Sequence, residues 1–388
     1  MEAQSPAAPP RFAEAIVNRP RSLLDSPIVN VPLDIFGLGS DAFGEAASRL
    51  LPGGAGIFGR VYATAFATGR LEPELAGASF SSAASWRRHF RAALLQPRRL
   101  EEEEGPVGVT RKAVLAAADG REVECVSIPM PGEAGDHPRR TLCLSSQAGC
   151  RMGCTFCETG RKGLARSLTA AEIVAEVVTA RALLGWDCRN LVFMGMGEPL
   201  DNFPALAQAL AVLADHRGFA YAAERITVCT CGPAGGVTQL AELGLGRLNL
   251  SVSLNAGEDG VRDRLMPVNR SHGLSALAAE LRSFPRRRNF VLGVNYCLIP
   301  GHNDSRDDAH SAAAYCRSLG RTLLNLIPYN PGTRPLSRAP TLDETAGFAG
   351  WLEQGGMHVR CRAAKGSSIM AGCGQLGSQV TPQGVISS

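Results

Sequence analysis

The stretch Gly149-Cys150-Arg151-Met152-Gly153-Cys154-Thr155-Phe156-Cys157-Glu158 places three cysteines in C-x3-C-x2-C spacing. Three thiolates this close together wrap one metal centre from a single loop. A cubane iron–sulfur cluster has four irons to ligate. Three cysteines leave one iron free, and an open position separates a catalytic metal site from a closed structural one. Such an iron holds a small molecule by its amino and carboxylate groups. A zinc knuckle would want a fourth Cys or His nearby, and the nearest upstream His is His137. A disulfide pair is geometrically feasible, but the chain shows no secretory features. The spacing favours the three-cysteine cluster, with zinc or thiol redox use as the alternatives.

Outward from this loop, strand and helix signals alternate. Strands are expected at 141–145, 190–194, 225–230, 247–254, 290–299 and 322–327, with a late one at 359–362. Thr169-Ala170-Ala171-Glu172 has the form of a capping box that opens a helix. Further helices are expected at 203–216, 237–243, 274–284, 306–319 and 343–354. An N-terminal hairpin, 112–117 with 123–128, turns at Asp119-Gly120. About six β/α units predict an α/β fold, a partial (β/α)6 barrel with its chemistry beyond the carboxyl ends of the strands. The cysteine loop, Gly195-Met196-Gly197-Glu198-Pro199, Cys229, Cys231, Ser253-Leu254-Asn255 and Asn330 all fall on that rim.

Residues 1–30 are rich in Pro, Ala and Arg and read as a disordered tail. Residues 31–105 read as a small helical accessory domain, with helical periodicity at 58–67 and 84–94. The acidic run Glu101–Glu104, followed by Gly105-Pro106, marks its boundary. The barrel domain is expected over 106–376, and 377–388 form a C-terminal tail.

With 388 residues, 45% hydrophobic and 20% charged, the chain can bury an ordinary core. No apolar run approaches a membrane span and the N-terminus lacks signal-peptide features. A reducing, cytoplasmic location without membrane attachment is expected, and it suits the 12 cysteines. The net charge of +4 says nothing of nucleic acid, but only Lys112, Lys162 and Lys365 are lysine among 40 basic residues. Arginine suits phosphate contacts. The clusters Arg87-Arg88, Arg98-Arg99 and Arg286-Arg287-Arg288 are either RNA contacts or solvated faces.

An open-site cluster on a β/α rim points to radical chemistry with S-adenosylmethionine (SAM). Glu198, after two glycines, is placed to take the methionine amine, and Ser253 and Asn330 to take carboxylate or ribose groups. Cys373, flanked by Gly372 and Gly374, reads as a reactive loop thiol or as a small buried hydrophobe. Cys143 lies on the strand feeding the cysteine loop, and a core position or a transient disulfide with Cys373 are both open to it. Glu124 reads as a surface carboxylate or a general base. Cysteines 125, 188, 297, 316 and 361 read as core fillers.

The motifs together resemble the radical SAM RNA methyltransferases of the RlmN/Cfr family. The likeness rests on Leu142 to Cys150, the cysteine loop, Met194 to Leu200, Arg225 to Val228, Leu265 to Asn269, Asn325 to Pro331 and Cys373 to Leu376, all in order. It implies a methyltransferase that uses two SAM per turnover and one [4Fe-4S] cluster on Cys150, Cys154 and Cys157. It implies that Cys373 carries the methyl as S-methylcysteine, that Glu124 accepts a proton, and that Cys143 closes a transient disulfide with Cys373. Gly197, Glu198, Cys229, Ser253, Leu254, Asn255 and Asn330 fall on SAM-binding positions. The expected product is an adenine methylated at a ring carbon, C2 before C8, in ribosomal or transfer RNA. An electron donor such as flavodoxin or ferredoxin, an RNA-contacting helical domain and a monomeric state are expected with it. Cys229 and Asn255 stand where the family usually has Ser and His, and Ser367-Ser368 replace acidic residues. A radical SAM enzyme on another substrate and an RNA-binding protein with a structural metal are the other readings.

Overall fold

The computed structural model describes residues 31–51, 55–131 and 139–377. The expected tails therefore lie outside the described residues, except for Gly377.

Ten strands form one open sheet. In chain order they are β1 (Gln96–Glu103), β2 (Thr110–Ala116), β3 (Glu122–Pro129), β4 (Arg140–Leu144), β5 (Asn190–Phe193), β6 (Ile226–Thr230), β7 (Asn249–Ser253), β8 (Leu292–Leu298), β9 (Thr322–Pro328) and β10 (Val359–Cys361). Each pairs with its neighbour in sequence, so spatial order equals chain order. β1 to β4 are antiparallel and β4 to β10 are parallel. Parallel strands require crossovers, and six of them join these seven strands. The result is a partial (β/α)6 barrel extended on one side by an antiparallel apron.

The crossover helices are α4 (Glu158–Lys162) and α5 (Ala170–Ala182) after β4, α6 (Phe203–Ala214), α7 (Gly236–Glu242), α8 (Asp259–Leu265), α9 (Leu274–Ser283), α10 (Arg306–Ser318) and α11 (Leu342–Gln354). The three before them are α1 (Ser40–Leu50), α2 (Phe58–Thr68) and α3 (Phe80–His89). α5, α10 and α11 each open on a capping box, at Thr169, Ser305 and Thr341. Each box satisfies orphan N–H groups at the helix start.

The N-terminal helices share one continuous core with the barrel. Phe36, Phe43, Tyr62, Phe66, Trp86 and Phe90 pack as an aromatic cluster, and Phe66 meets Phe219 of the barrel edge-on at 5.3 Å. Asp215, just past α6, accepts from the amide of Ser40 at 2.6 Å. α3 ends at His89, earlier than its periodicity suggests, because Phe90–Arg91 pairs with Leu33–Asp34 as a short parallel strand.

The acidic run is not a linker. Glu101 to Glu103 belong to β1, where every second side chain turns inward. Glu101 meets Lys112 across the ladder. A strand rich in charge at a sheet edge also resists pairing with other chains.

Candidate active site

The cysteine loop follows β4 at the carboxyl rim. It is pinned by the short antiparallel pair Gln147–Gly149 and Leu164–Ser167. Gly149 has φ +87°, and a Cβ there would lie 1.9 Å from the Gly163 carbonyl, so only glycine fits. The amide of Cys150 donates to Gly163 at 3.0 Å, and Thr155 donates to Leu265 at 3.0 Å. Cys150, Cys154 and Cys157 lie near enough to perturb one another's ionisation. Burial pushes the Cys150 thiol up to about 12, and it raises Cys154 and Cys157 as well. Thiols so buried become thiolates when cationic iron compensates them. Among the described residues no three His, Cys, Asp or Glu side chains converge as ligands of a single ion would. Three thiols spread over one loop, with no fourth ligand, fit a cubane cluster better than a zinc knuckle.

A separate apolar cluster encloses this loop. Leu265, Met266, Ile299 and Tyr329 are buried around Cys231 and Cys297, with Met152 and Phe156 packed against them. Such a shell limits water access to a metal centre.

Glu198 is 4% exposed and sits beside the loop, where its charge reaches Cys150 and Cys154. Burial raises its carboxyl, against hydrogen bonds from Cys231 N (2.8 Å), Thr230 Oγ1 (2.7 Å) and Leu200 N (3.0 Å). Gly197 has φ +95°, and a Cβ there would strike Gln147 at 2.5 Å. The close approach this glycine permits is to the cysteine loop's own base.

The remaining expected SAM positions behave differently from one another. Cys229 is buried at the end of β6, and burial pushes its thiol up to about 12. The backbone of Leu254 is engaged on both sides, by the Asn295 carbonyl and by Arg262 Nε. Asn255, at φ +59°, accepts from the Cys297 amide at 2.8 Å and donates to Met266 Sδ at 3.1 Å. Its side chain is committed to β8 and to the segment after α8. Asn330 is 7% exposed, lies against Gly372, and its amide has no hydrogen-bond partner among the described residues. The same holds for the Ser253 hydroxyl, so Ser253 and Asn330 are the side chains left open to a ligand.

Cys373 arrives from the far end of the chain. Its sulfur lies 3.8 Å from Met194 Sδ, at the end of β5. Cys143, Cys229 and Cys297 all lie within electrostatic reach of it. Cys373 is solvent-accessible, but protein rings its sulfur closely enough that desolvation raises the thiol, with Arg362 drawing it down. Cys143 is 6% exposed and its thiol is raised further, by burial first and then by Cys373. Glu124, on β3, is 4% exposed rather than a surface carboxylate. Its Oε2 accepts from the Gly377 amide at 3.2 Å. Burial raises its carboxyl, opposed by Lys112, that amide and Arg99.

Sequence reasoning missed Arg262. It is fully buried and donates to the carbonyls of Leu254, Cys231 and Ser253 and to Asn269 Oδ1. It thereby ties the ends of β6 and β7 together. Its position in α8, among otherwise exposed charges, gave no signal. The Arg286 cluster is placed far from the chemistry. Arg286 donates to Leu319 and Leu281, and Arg287 to Asn249 and Arg247, all at the strand starts opposite the rim.

A cysteine loop fit for an iron–sulfur cluster, on the carboxyl rim of a partial (β/α)6 barrel, defines a radical SAM enzyme. The Radical SAM superfamily model matches residues 144–312. A radical SAM methyltransferase from Sphaerobacter thermophilus has a similar structure, with a TM-score of 0.79 and 31% identity over 89% of this chain and 99% of that one. The dual-specificity RNA methyltransferase RlmN of Geotalea uraniireducens is 42% identical over 277 residues, 71% of this chain and 77% of that protein. The probable dual-specificity RNA methyltransferase RlmN 1 of Protochlamydia amoebophila is 40% identical over 271 residues, 70% of this chain and 74% of that protein. The chain belongs to the RlmN family of radical SAM RNA methyltransferases. It is a methyltransferase that uses a [4Fe-4S] cluster and SAM, with RNA as substrate. Among the described residues no helix is long and apolar enough to cross a membrane.

Proposed function

We propose that the protein methylates a ring carbon of adenine, C2, in both ribosomal and transfer RNA, through S-methylcysteine at Cys373. The carrying observation is the placement of Cys373: its sulfur rests 3.8 Å from Met194 Sδ, between Cys143 and the cluster loop, with Gly374 bonded to Glu158. The relatives' description as dual-specificity enzymes supports two RNA classes.

An adenine C2 is not nucleophilic, so an electrophilic methyl cannot be delivered to it directly. Cys373 solves this in two stages. Its thiolate takes a methyl group from one SAM by displacement. Cys150, Cys154 and Cys157 would hold the cluster, which would supply the electron that cleaves a second SAM to methionine and a 5′-deoxyadenosyl radical. The S-methyl group of Cys373 then loses a hydrogen atom, and its carbon adds to the ring. Glu124 takes the ring proton, and the one electron the adduct gives up would return to the oxidised cluster that had supplied one to SAM. The Cys143 thiolate attacks the sulfur of Cys373, closing a disulfide and breaking the sulfur–carbon bond, and the carbon set free takes up a proton to complete the methyl group of the released base. Reduction of that disulfide resets the enzyme, with flavodoxin or ferredoxin as electron donor. Glu198 takes the SAM amine beside Gly197. Ser253 and Asn330 bind it by their free side chains, and Cys229, Leu254 and Asn255 shape the pocket wall. The helices of residues 31–105 contact the RNA, and the enzyme acts as a cytoplasmic monomer.

The test is mass spectrometry of modified adenosines from RNA of cells with and without the protein. Loss of 2-methyladenosine with the protein supports the reading. Loss of 8-methyladenosine instead would assign C8 chemistry, and an unchanged adenosine profile would overturn both.

A further inference from the structure

The last described stretch, Lys365 to Gly377, crosses the antiparallel apron as a strap. Glu103 of β1 accepts from the amides of Gly366 and Ser368, the latter at 2.8 Å. Lys365 donates to the Pro129 carbonyl at the end of β3. Lys112 of β2 reaches the Met370 carbonyl at 3.5 Å, and Glu124 of β3 holds the Gly377 amide. All three apron strands thus grip the segment that carries Cys373.

Lys112 occupies the centre of this grip. The register Glu101↔Lys112↔Val126↔Cys143 makes one row across β1 to β4. The next row on the same face is Arg99↔Val114↔Glu124. Diagonal neighbours in such rows are about 7–8 Å apart, within reach of long side chains. Lys112 is 2% exposed, and its ammonium lies 2.6 Å from Glu101 Oε2. An ammonium has three donors. The Met370 carbonyl takes one of them, Glu101 pairs with the ammonium as a countercharge, and the charge of Lys112 also reaches Glu124.

We propose that Lys112 is a positioning residue: one buried ammonium holds the Cys373 strap and keeps Glu124 a carboxylate. This rests on the reading of Glu124 as proton acceptor. A carboxyl buried without a cation takes up a proton and can accept no other. The charged groups facing Glu124 are Lys112 from β2 and Arg99 and Glu101 from β1, with the Gly377 amide from the strap. Lys112 and Arg99 favour the carboxylate, and Glu101 opposes it. A strap that loosened would remove the amide from Glu124 and Met370 from Lys112 together, so thiol placement and base ionisation are coupled.

The experiment compares holoenzyme variants Lys112→Met, Lys112→Arg and Glu101→Gln by two readouts. Hydrogen exchange of the amides from Gly366 to Gly377 reports the strap. The pH dependence of adduct breakdown in a single turnover reports Glu124. In Lys112→Met, strap exchange accelerates about tenfold. The acidic limb of the pH profile also moves up by about one unit. Glu101→Gln moves that limb down, because a countercharge to Lys112 is gone, and Lys112→Arg restores most of both. A purely structural lysine would not give opposite pH shifts. Wild-type exchange in Lys112→Met, or an unmoved limb in both Lys112→Met and Glu101→Gln, overturns the proposal. If Glu124→Gln breaks down its adduct at the wild-type rate, the base reading itself falls, while the exchange measurement still decides whether Lys112 grips the strap.

Discussion

The backbone amide of Glu158 donates to the carbonyl of Gly374 at 2.7 Å. One residue follows Cys157 and the other follows Cys373. The two loops are stitched again just beyond, where Thr159 Oγ1 donates to the Leu376 carbonyl at 2.6 Å. Cys373, the proposed methyl carrier, is therefore fixed relative to the loop proposed to hold the cluster. A radical that must meet one carbon benefits from such preorganisation, since reacting atoms need to sit roughly 3–3.5 Å apart.

In the proposed mechanism, release of product depends on the Cys143 thiol. Cys143→Ala should stall the enzyme as a covalent RNA–protein adduct through Cys373. Denaturing gels of reaction mixtures should show an RNA-bearing protein band, and tryptic mass spectrometry should place the nucleotide on the Cys373 peptide. Full turnover without an adduct would refute release by Cys143.

The cluster reading makes a separate prediction. The protein purified without oxygen should be brown, and its visible absorbance should bleach with dithionite. Cys150→Ala, Cys154→Ala and Cys157→Ala should each lower bound iron several-fold. The fold should survive, because the main core lies apart from the small apolar cluster around this loop. A colourless wild-type protein that binds one zinc would remove the radical chemistry altogether.

RNA affinity should respond to charge at the rim, not at the strand starts. Arg264 and Arg334 are exposed in segments that follow β7 and β9, on the side of the chemistry. Reversing both to Glu should weaken RNA binding and lower the salt slope by about one unit for each phosphate left without its arginine. Reversing Arg288, at the opposite end, should leave both unchanged. Arg286→Glu and Arg287→Glu should instead reduce stability, because those side chains bind carbonyls. Filter binding across a salt series checks the RNA effects, and urea unfolding checks the stability effects.

How far these residues could be read in the sequence follows from the range of the forces that place them. The strands were legible because apolar runs bounded by Gly and polar residues depend on local pattern. Cys143 and Glu198 were legible because each neighbours a distinctive motif. The burial of Glu124 was not: its carboxylate is held by a strap more than two hundred residues downstream, and no local pattern carries that. Arg262 was hidden for a similar reason, since its carbonyl partners come from two strand ends. The arginine run at 286–288 misled because exposure is a default reading for adjacent charges, whereas Arg286 binds carbonyls at the ends of α9 and α10 and Arg287 binds the segment that opens β7.

Glu176 offers a test of the fold's electrostatics. It lies on α5, wholly buried, and accepts from the Ser145 amide at 3.0 Å. Its other oxygen, Oε1, has no partner among the described residues. Burial raises its carboxyl well above the ordinary range, so the folded protein holds this proton to higher pH than the unfolded chain does. The unfolded chain releases the proton above about pH 4.3. Folding therefore takes up a proton, and this group's contribution to stability falls as pH rises, by up to about 1.4 kcal/mol per unit. The fall ends where the folded carboxyl itself ionises. Glu176→Gln keeps the shape and the Ser145 bond but removes the proton uptake. Below about pH 4 the variant should match the wild type in urea unfolding. At about pH 8 it should be more stable, by an amount that grows steadily between the two. Parallel stability curves over that range would show that Glu176 is ionised in the folded protein.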